Sequence, residues 1–212
     1  MAVLSNLEPK KVFRFFEDIC SIPHGSGNIW QVSNYCADFA RQRGLEFVQD
    51  EMGNVIIYAP GTPGYEDAEP VILQGHIDMV CVKTEDCPLD MSKDGLELMV
   101  DGDYVRAKDT SLGADNGIGV ALAMAVLESS TLAHPELEVL FTVNEEEDLS
   151  GADGFDTTKM QLGAYIRGLQ PKIEELEEER LWFDGSRPEN ETIGGSFLWL
   201  KYDKIATTGI LP

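Results

Sequence analysis

Residues 71–80, VILQGHIDMV, constrain the fold of this chain more than any other stretch. Their aliphatic run, which stops at Gly75, predicts a short buried strand of a parallel sheet. His76 and Asp78 follow just past the carboxyl end of that strand, where open α/β sheets bind their ligands. A histidine with an acid two positions on suits a metal ligand whose ring is oriented by the carboxylate. A histidine satisfied by ordinary strand-end contacts explains this stretch equally well.

A second apolar strand ends in acids. Residues 136–143, ELEVLFTV, predict another buried strand, and residues 144–148, NEEED, follow it directly. Four consecutive carboxylates repel one another unless cations or solvent screen them.

The segment TSLGADNGIG, residues 110–119, places Asp115 at the start of a predicted helix over residues 116–129. Its glycine spacing fits neither a phosphate loop nor a dinucleotide fingerprint. Capping of the helix is the structural alternative for an isolated aspartate here. However, all the candidate acids and the histidine lie at the end of a predicted strand or at the start of a predicted helix. These residues are His76, Asp78, Asp115, Glu145 and Glu146. This coincidence predicts a metal site of one histidine and several carboxylates, with room for two divalent ions.

The alternation of strands and helices after residue 45 predicts an α/β fold, a mixed sheet with helices on both faces. The further predicted elements are helices at residues 8–22, 28–43 and 171–183, strands at 45–49, 54–59 and 196–202, and a hairpin at 96–107 whose turn is Asp101–Gly102.

Composition excludes two classes of partner. A formal net charge of −22 argues against nucleic acid and against anionic membrane surfaces, because both are polyanions. The longest apolar run, residues 120–127, is too short to span a bilayer. Without a Cys-x-x-Cys pair, the four cysteines are interpreted as reduced thiols, so we expect a soluble cytoplasmic protein. They are Cys20, Cys36, Cys81 and Cys87.

Four stretches together resemble one family. SIPHGSG, VILQGHIDMV, TSLGADNGIGVALAMAVL and LEVLFTVNEEE occur in the order and spacing of the aminoacyl-histidine dipeptidases, also called cytosol non-specific dipeptidases. These are dinuclear zinc peptidases, a group that includes carboxypeptidase G and aminoacylase. The resemblance covers roughly residues 4–165. It implies a zinc-peptidase-like catalytic domain that cleaves small peptides and binds two divalent ions, zinc with manganese or cobalt as alternatives.

The resemblance also implies a role for each site residue. His76 would bind one metal, and Asp78 would orient its ring. Asp115 would bridge the two metals, Glu145 would be the general base that activates the bridging water, and Glu146 would bind the second metal. Since Asp148 stands where the family usually has glycine, the shifted pair Glu146–Glu147 is an alternative.

Two departures from the family bear on activity. The family's downstream aspartate has no counterpart in AYIRGLQP, and neither His24 nor His134 corresponds to its C-terminal histidine ligand. We therefore expect residues 1–166 to be the N-terminal part of an incomplete catalytic domain, without a lid or dimerisation domain. Residues 167–212 are expected to be a divergent segment with an acidic helix. The predicted function is that of a metal-dependent dipeptidase. The alternative is a truncated or degenerate, non-catalytic metal-binding or protein-interaction domain. A homo-oligomer is considered as an assembly state of the chain.

Overall fold

The structure is a computed structural model that describes residues 2–160. The predicted boundary at residue 166, the helix at 171–183 and the strand at 196–202 lie outside the described residues. In chain order the elements are α1 (Lys10–Cys20), α2 (Trp30–Gln42), β1 (Glu46–Gln49), β2 (Val55–Ala59), β3 (Val71–His76), β4 (Leu98–Asp101), β5 (Tyr104–Ala107), α3 (Ala114–Leu127), β6 (Leu137–Thr142), α4 (Ser150–Asp153) and a 3₁₀ turn (Thr157–Lys159).

Strands β1, β2, β6 and β3 form a four-stranded sheet in that order. Strand β6 is antiparallel to β2 and parallel to β3, and β2 pairs with β1 as an antiparallel hairpin. Strands β4 and β5 form a separate hairpin. The predicted mixed α/β fold is confirmed. In the parallel pair, His76 lies opposite Thr142, so both strands end at the same edge of the sheet.

The alternation of side chains along the strands divides the sheet into two faces. On one face, Ile57 and Phe141 join the main core, in which Phe16 of α1, Val32 of α2 and Val120 of α3 are buried. The three long helices thus cover the same side of the sheet.

The opposite face carries a smaller cluster of Ile56, Tyr58 and Leu140. Phe155, just after α4, packs against this cluster, and the Tyr58 hydroxyl donates a hydrogen bond to the Lys159 carbonyl oxygen at 2.5 Å. The prediction of helices on both faces therefore needs refinement. Within residues 2–160 the long helices lie on one face, and the segment after α4, with Phe155 and Lys159, covers part of the other.

Strand β3 differs from the prediction in length and in burial. It continues to His76 instead of stopping at Gly75, and only these last two residues are buried. The first four, residues 71–74, are half-buried or exposed. The reason is its place in the sheet, since among the described residues β3 pairs with β6 alone and so lies at an edge.

Three of the four cysteines, Cys20, Cys36 and Cys87, are buried, Cys81 is exposed, and all four are free thiols. Burial raises the pKa of the Cys20 thiol to about 12. None of the helices formed by residues 2–160 is long and apolar enough to cross a membrane.

Candidate metal centre

Three chain segments bring the predicted site residues to one edge of the sheet. His76 ends β3, and Glu145 and Glu146 follow its parallel neighbour β6. Asp115 arrives from the start of α3, which packs closely on β3. A methyl group in place of the Gly75 hydrogen would lie 2.9 Å from the Asn116 Oδ1 atom, so glycine permits this approach.

The His76 ring lies between the oxygens of Asp78 on one side and the carboxylates of Asp115 and Glu145 on the other. Its Nδ1 lies 3.1 Å from the Asp78 carbonyl oxygen and 3.5 Å from Asp78 Oδ1. Its Nε2 lies 3.3 Å from Asp115 Oδ1 and 3.7 Å from Glu145 Oε2. The ring therefore donates from Nδ1 towards Asp78 and presents Nε2 to two carboxylates. This is the orientation expected of a metal-ligating histidine.

Asp78 connects the histidine to two other segments. Its side chain is fully buried and accepts hydrogen bonds from Ser26 Oγ at 2.7 Å and from the backbone N–H groups of Glu145 and Glu146 at 3.0 and 3.2 Å. Burial alone would raise the pKa of the Asp78 carboxyl, but its hydrogen bonds with His76, Ser26 and the two N–H groups lower that pKa below the ordinary value. Asp78 is thus held as a carboxylate.

Residues 144–148, here called the acidic turn, are held in one conformation from several sides. Asn144 adopts a left-handed backbone with φ of 54°, and its Oδ1 accepts the Gly27 N–H at 2.8 Å. With Asp78 binding the next two N–H groups, Glu145 and Glu146 face His76. One ligand atom from each of these three side chains lies within 4.8 Å of the others. The structure thus brings Glu145 and Glu146 to the histidine, as in the first of the two registers considered above.

Asp115 does not cap α3. Its side chain is 85 % exposed, the residue at the N-cap position is Gly113, and the helix start has no side-chain cap hydrogen bond. The backbone of Asp115 and Asn116 is non-helical, so regular helix begins only after them. The carboxylate is left to face His76 Nε2.

The acids surrounding His76 favour positive charge. Burial lowers the pKa of the imidazole, but the hydrogen bond with Asp78 and the charge of Glu145 outweigh it and raise the pKa to about 9. Glu146 shows the same crowding, because burial and the charges of Glu145 and Asp115 raise its pKa despite the opposing effect of His76. In the absence of another cation, a proton on His76 partly neutralises the cluster.

The donor set fits a divalent metal. One imidazole nitrogen and the carboxylates of Asp115, Glu145 and Glu146 converge, which is a nitrogen and oxygen set suited to Zn²⁺ or Mn²⁺. An oriented ring and a surplus of negative charge are both present before any ion binds. In residues 2–160, His76, Glu145 and Glu146 form the one group of three or more candidate ligands at this spacing.

Comparison with known proteins gives the same family as the motifs. No family model matches the chain. It is 42% identical over 166 residues to the cytosol non-specific dipeptidase of Escherichia coli (strain K12), covering 78% of this chain and 34% of that protein. The crystal structure of aminoacylhistidine dipeptidase from Vibrio alginolyticus superposes with a TM-score of 0.73 at 42% identity, covering 74% of this chain and 32% of that one. The resemblance to the N-terminal part of the aminoacyl-histidine dipeptidases is confirmed.

The chain spans about a third of the length of these dipeptidases. A tripeptidase from Staphylococcus aureus shares the fold, with a TM-score of 0.59 at 21% identity over 72% of this chain. The similarity to the dipeptidases therefore concerns the described sheet and the candidate metal centre.

Residues 21–27, the SIPHGSG loop, contribute to the candidate site in a way that their sequence alone did not predict. This segment carries the dipeptidase resemblance, but only loop structure was inferred for it. In the structure Ser26 hydrogen-bonds Asp78, and Gly27 hydrogen-bonds Asn144 of the acidic turn. His24 is buried, and its Nδ1 lies 2.5 Å from the Ile22 carbonyl oxygen. The occurrence of the SIPHGSG segment among the four motifs was the one signal that could have identified this loop as part of the candidate site.

Proposed function

We propose that this chain belongs to a metal-dependent hydrolase that cleaves dipeptides at the centre built around His76. The observation that carries the proposal is the convergence of Asp115, Glu145 and Glu146 on a histidine whose other nitrogen faces Asp78. The similarity to dipeptidases over most of this chain supports a peptide as the substrate.

His76, Asp115 and Glu146 would hold two divalent ions, most consistently zinc, with manganese or cobalt as alternatives. When bound, such ions polarise a carbonyl and lower the pKa of water. Glu145 is the proton acceptor in this scheme, because its carboxylate lies beside His76 and is only half buried. Asp78 holds the ring and the acidic turn in place through its hydrogen bonds.

The test is hydrolysis of a panel of dipeptides by the full chain with added Zn²⁺ or Mn²⁺, monitored by release of free amino acids. We expect turnover that Glu145→Gln abolishes. Asp148→Asn is the matched control, since it removes a charge from the same turn while an amide oxygen can still accept the Ser150 N–H that Asp148 binds at 2.9 Å. No turnover by wild type would refute the proposal for this chain.

A second candidate function is a metal-binding or protein-interaction domain without catalysis. Its support is that the segment AYIRGLQP, residues 164–171, contains no acid, so the downstream aspartate of the resembled family has no counterpart there. Calorimetric titration with Zn²⁺ separates the two. Weak binding that His76→Ala abolishes supports the second candidate, whereas tight binding of two ions argues for the first.

The division into residues 1–166 and 167–212, a cytoplasmic location and a homo-oligomeric state remain part of this proposal. Limited proteolysis would locate the boundary, and the native mass in solution would give the oligomeric state.

A further inference from the structure

A cavity of about 380 Å³ lies beside the candidate metal centre, between the SIPHGSG loop and the acidic turn. Glu146 takes part in both, since it lines the cavity and faces His76. Its apolar lining includes Val80, Cys81 and Met91. An unbranched alkyl chain fits such a lining well, because thioether side chains adapt to flexible apolar groups.

Glu147 is the one acid of the acidic turn whose role is still open. Glu145 and Glu146 face His76, and the Asp148 carboxylate accepts the Ser150 N–H. The exposed side chain of Glu147 lines the cavity, and it makes no hydrogen bond or ion pair within residues 2–160.

The other polar side chains of the wall already have partners. Ser26 Oγ donates to Asp78, Asn28 Nδ2 donates to the Ser92 carbonyl oxygen at 2.9 Å, and Ser92 Oγ donates to Asp90 at 2.6 Å. No lysine, arginine or histidine is among the described residues that line the cavity. A negative charge without a counter-charge therefore lies next to an apolar wall.

We propose that this cavity is a subsite for a substrate side chain with an alkyl stem and a cationic end, such as that of lysine, and that Glu147 is its specificity-determining residue. The stem packs along Val80 and Met91, and the ammonium pairs with the Glu147 carboxylate. The inference rests on the proposed function, since it assigns the cavity to a side chain of the dipeptide substrate.

The test is a double-mutant cycle read out by NMR at the cavity itself. The full chain is labelled with ¹³C in the methionine methyl groups and kept free of metal so that the ligand is not cleaved. Met91 reports on the cavity, and Met99 and Met124, which do not line it, are internal references. The ligands are lysyl-glycine and norleucyl-glycine, which share the alkyl stem and differ in the ammonium.

We expect lysyl-glycine to shift the Met91 signal at about fivefold lower concentration than norleucyl-glycine, the upper range for a solvent-exposed ion pair. Glu147→Gln should abolish this preference, whereas Asp148→Asn should retain it. Equal affinities in wild type, a preference that survives Glu147→Gln, or no shift at all would overturn the inference.

Hydrolysis of the same two dipeptides by the metal-loaded chain is scored separately. Cleavage of both without a lysine preference overturns the subsite and leaves the proposed function intact. Lysine-selective binding through Glu147 without cleavage of any dipeptide would overturn the proposed function and leave the subsite for a cationic side chain intact.

Discussion

Metal binding at the candidate centre should be strongly pH-dependent because the first ion has to displace a proton from His76. Its pKa is raised to about 9, whereas the ordinary value is 6.5. At pH 7 about 99 % of the imidazole is then protonated, against about 24 % for an unperturbed histidine. Below pH 9 each pH unit should raise the apparent affinity for Zn²⁺ about tenfold, which is about 1.4 kcal/mol.

Competition with a chromophoric chelator at pH 7 and pH 8 measures this dependence. A raised pKa predicts an increase of about tenfold in affinity, whereas an ordinary histidine predicts only about 1.3-fold. In the metal-free protein, the imidazole C–H signal of His76 should titrate near pH 9 and disappear in His76→Gln. His24 serves as the internal contrast, because burial lowers its pKa below the ordinary value. A His76 midpoint near 6.5, together with less than a twofold change in affinity, would refute this account.

Substitutions at three positions test the surroundings of the histidine. Asp78→Asn should weaken Zn²⁺ binding about 10- to 100-fold, measured by chelator competition, because the ring and the acidic turn lose a charged acceptor; unchanged affinity would contradict its positioning role. Ser26→Ala should weaken binding about tenfold in the same assay, whereas Ser26→Thr should retain it because the hydroxyl remains, and equal losses would point to packing instead. Gly75→Ala should lower the free energy of unfolding by about 1–3 kcal/mol in urea, since its methyl group would meet Asn116, and a loss below about 0.5 kcal/mol would show that α3 yields easily.

Local patterns predicted the strands and helices well because each pattern depends on burial of its own side chains. The side chains of β2 and β6 point alternately to the two faces of the sheet, and every residue of both strands is buried. β3 has an equally apolar sequence, yet four of its six residues are half-buried or exposed. Burial of a strand depends on its neighbours, and strand order is not contained in the strand's own residues.

The site could be predicted where it depends on residue type and could not where it depends on contacts between distant segments. His76, Asp115 and the acidic pair were predicted as candidates because they follow predicted strands or open a predicted helix, and the structure brings them together. Ser26 was missed because its hydrogen bond to Asp78 joins residues 52 positions apart. Asp115 illustrates the same limit, since its position allowed both capping and metal binding, and only the backbone around it excludes capping.

Asp78 explains how the crowded acids of this centre are kept in place before an ion binds. Its carboxylate accepts hydrogen bonds from the SIPHGSG loop and from two N–H groups of the acidic turn, and it lies beside the His76 ring. Mutual repulsion would otherwise drive Glu145 and Glu146 apart. Because the N–H groups that position both glutamates are bound by a third, buried acid, hydrogen bonds oppose the repulsion together with the positive charge of protonated His76. A divalent ion that binds this candidate centre would therefore meet a preformed arrangement, and the cost that remains would be removal of the proton from His76.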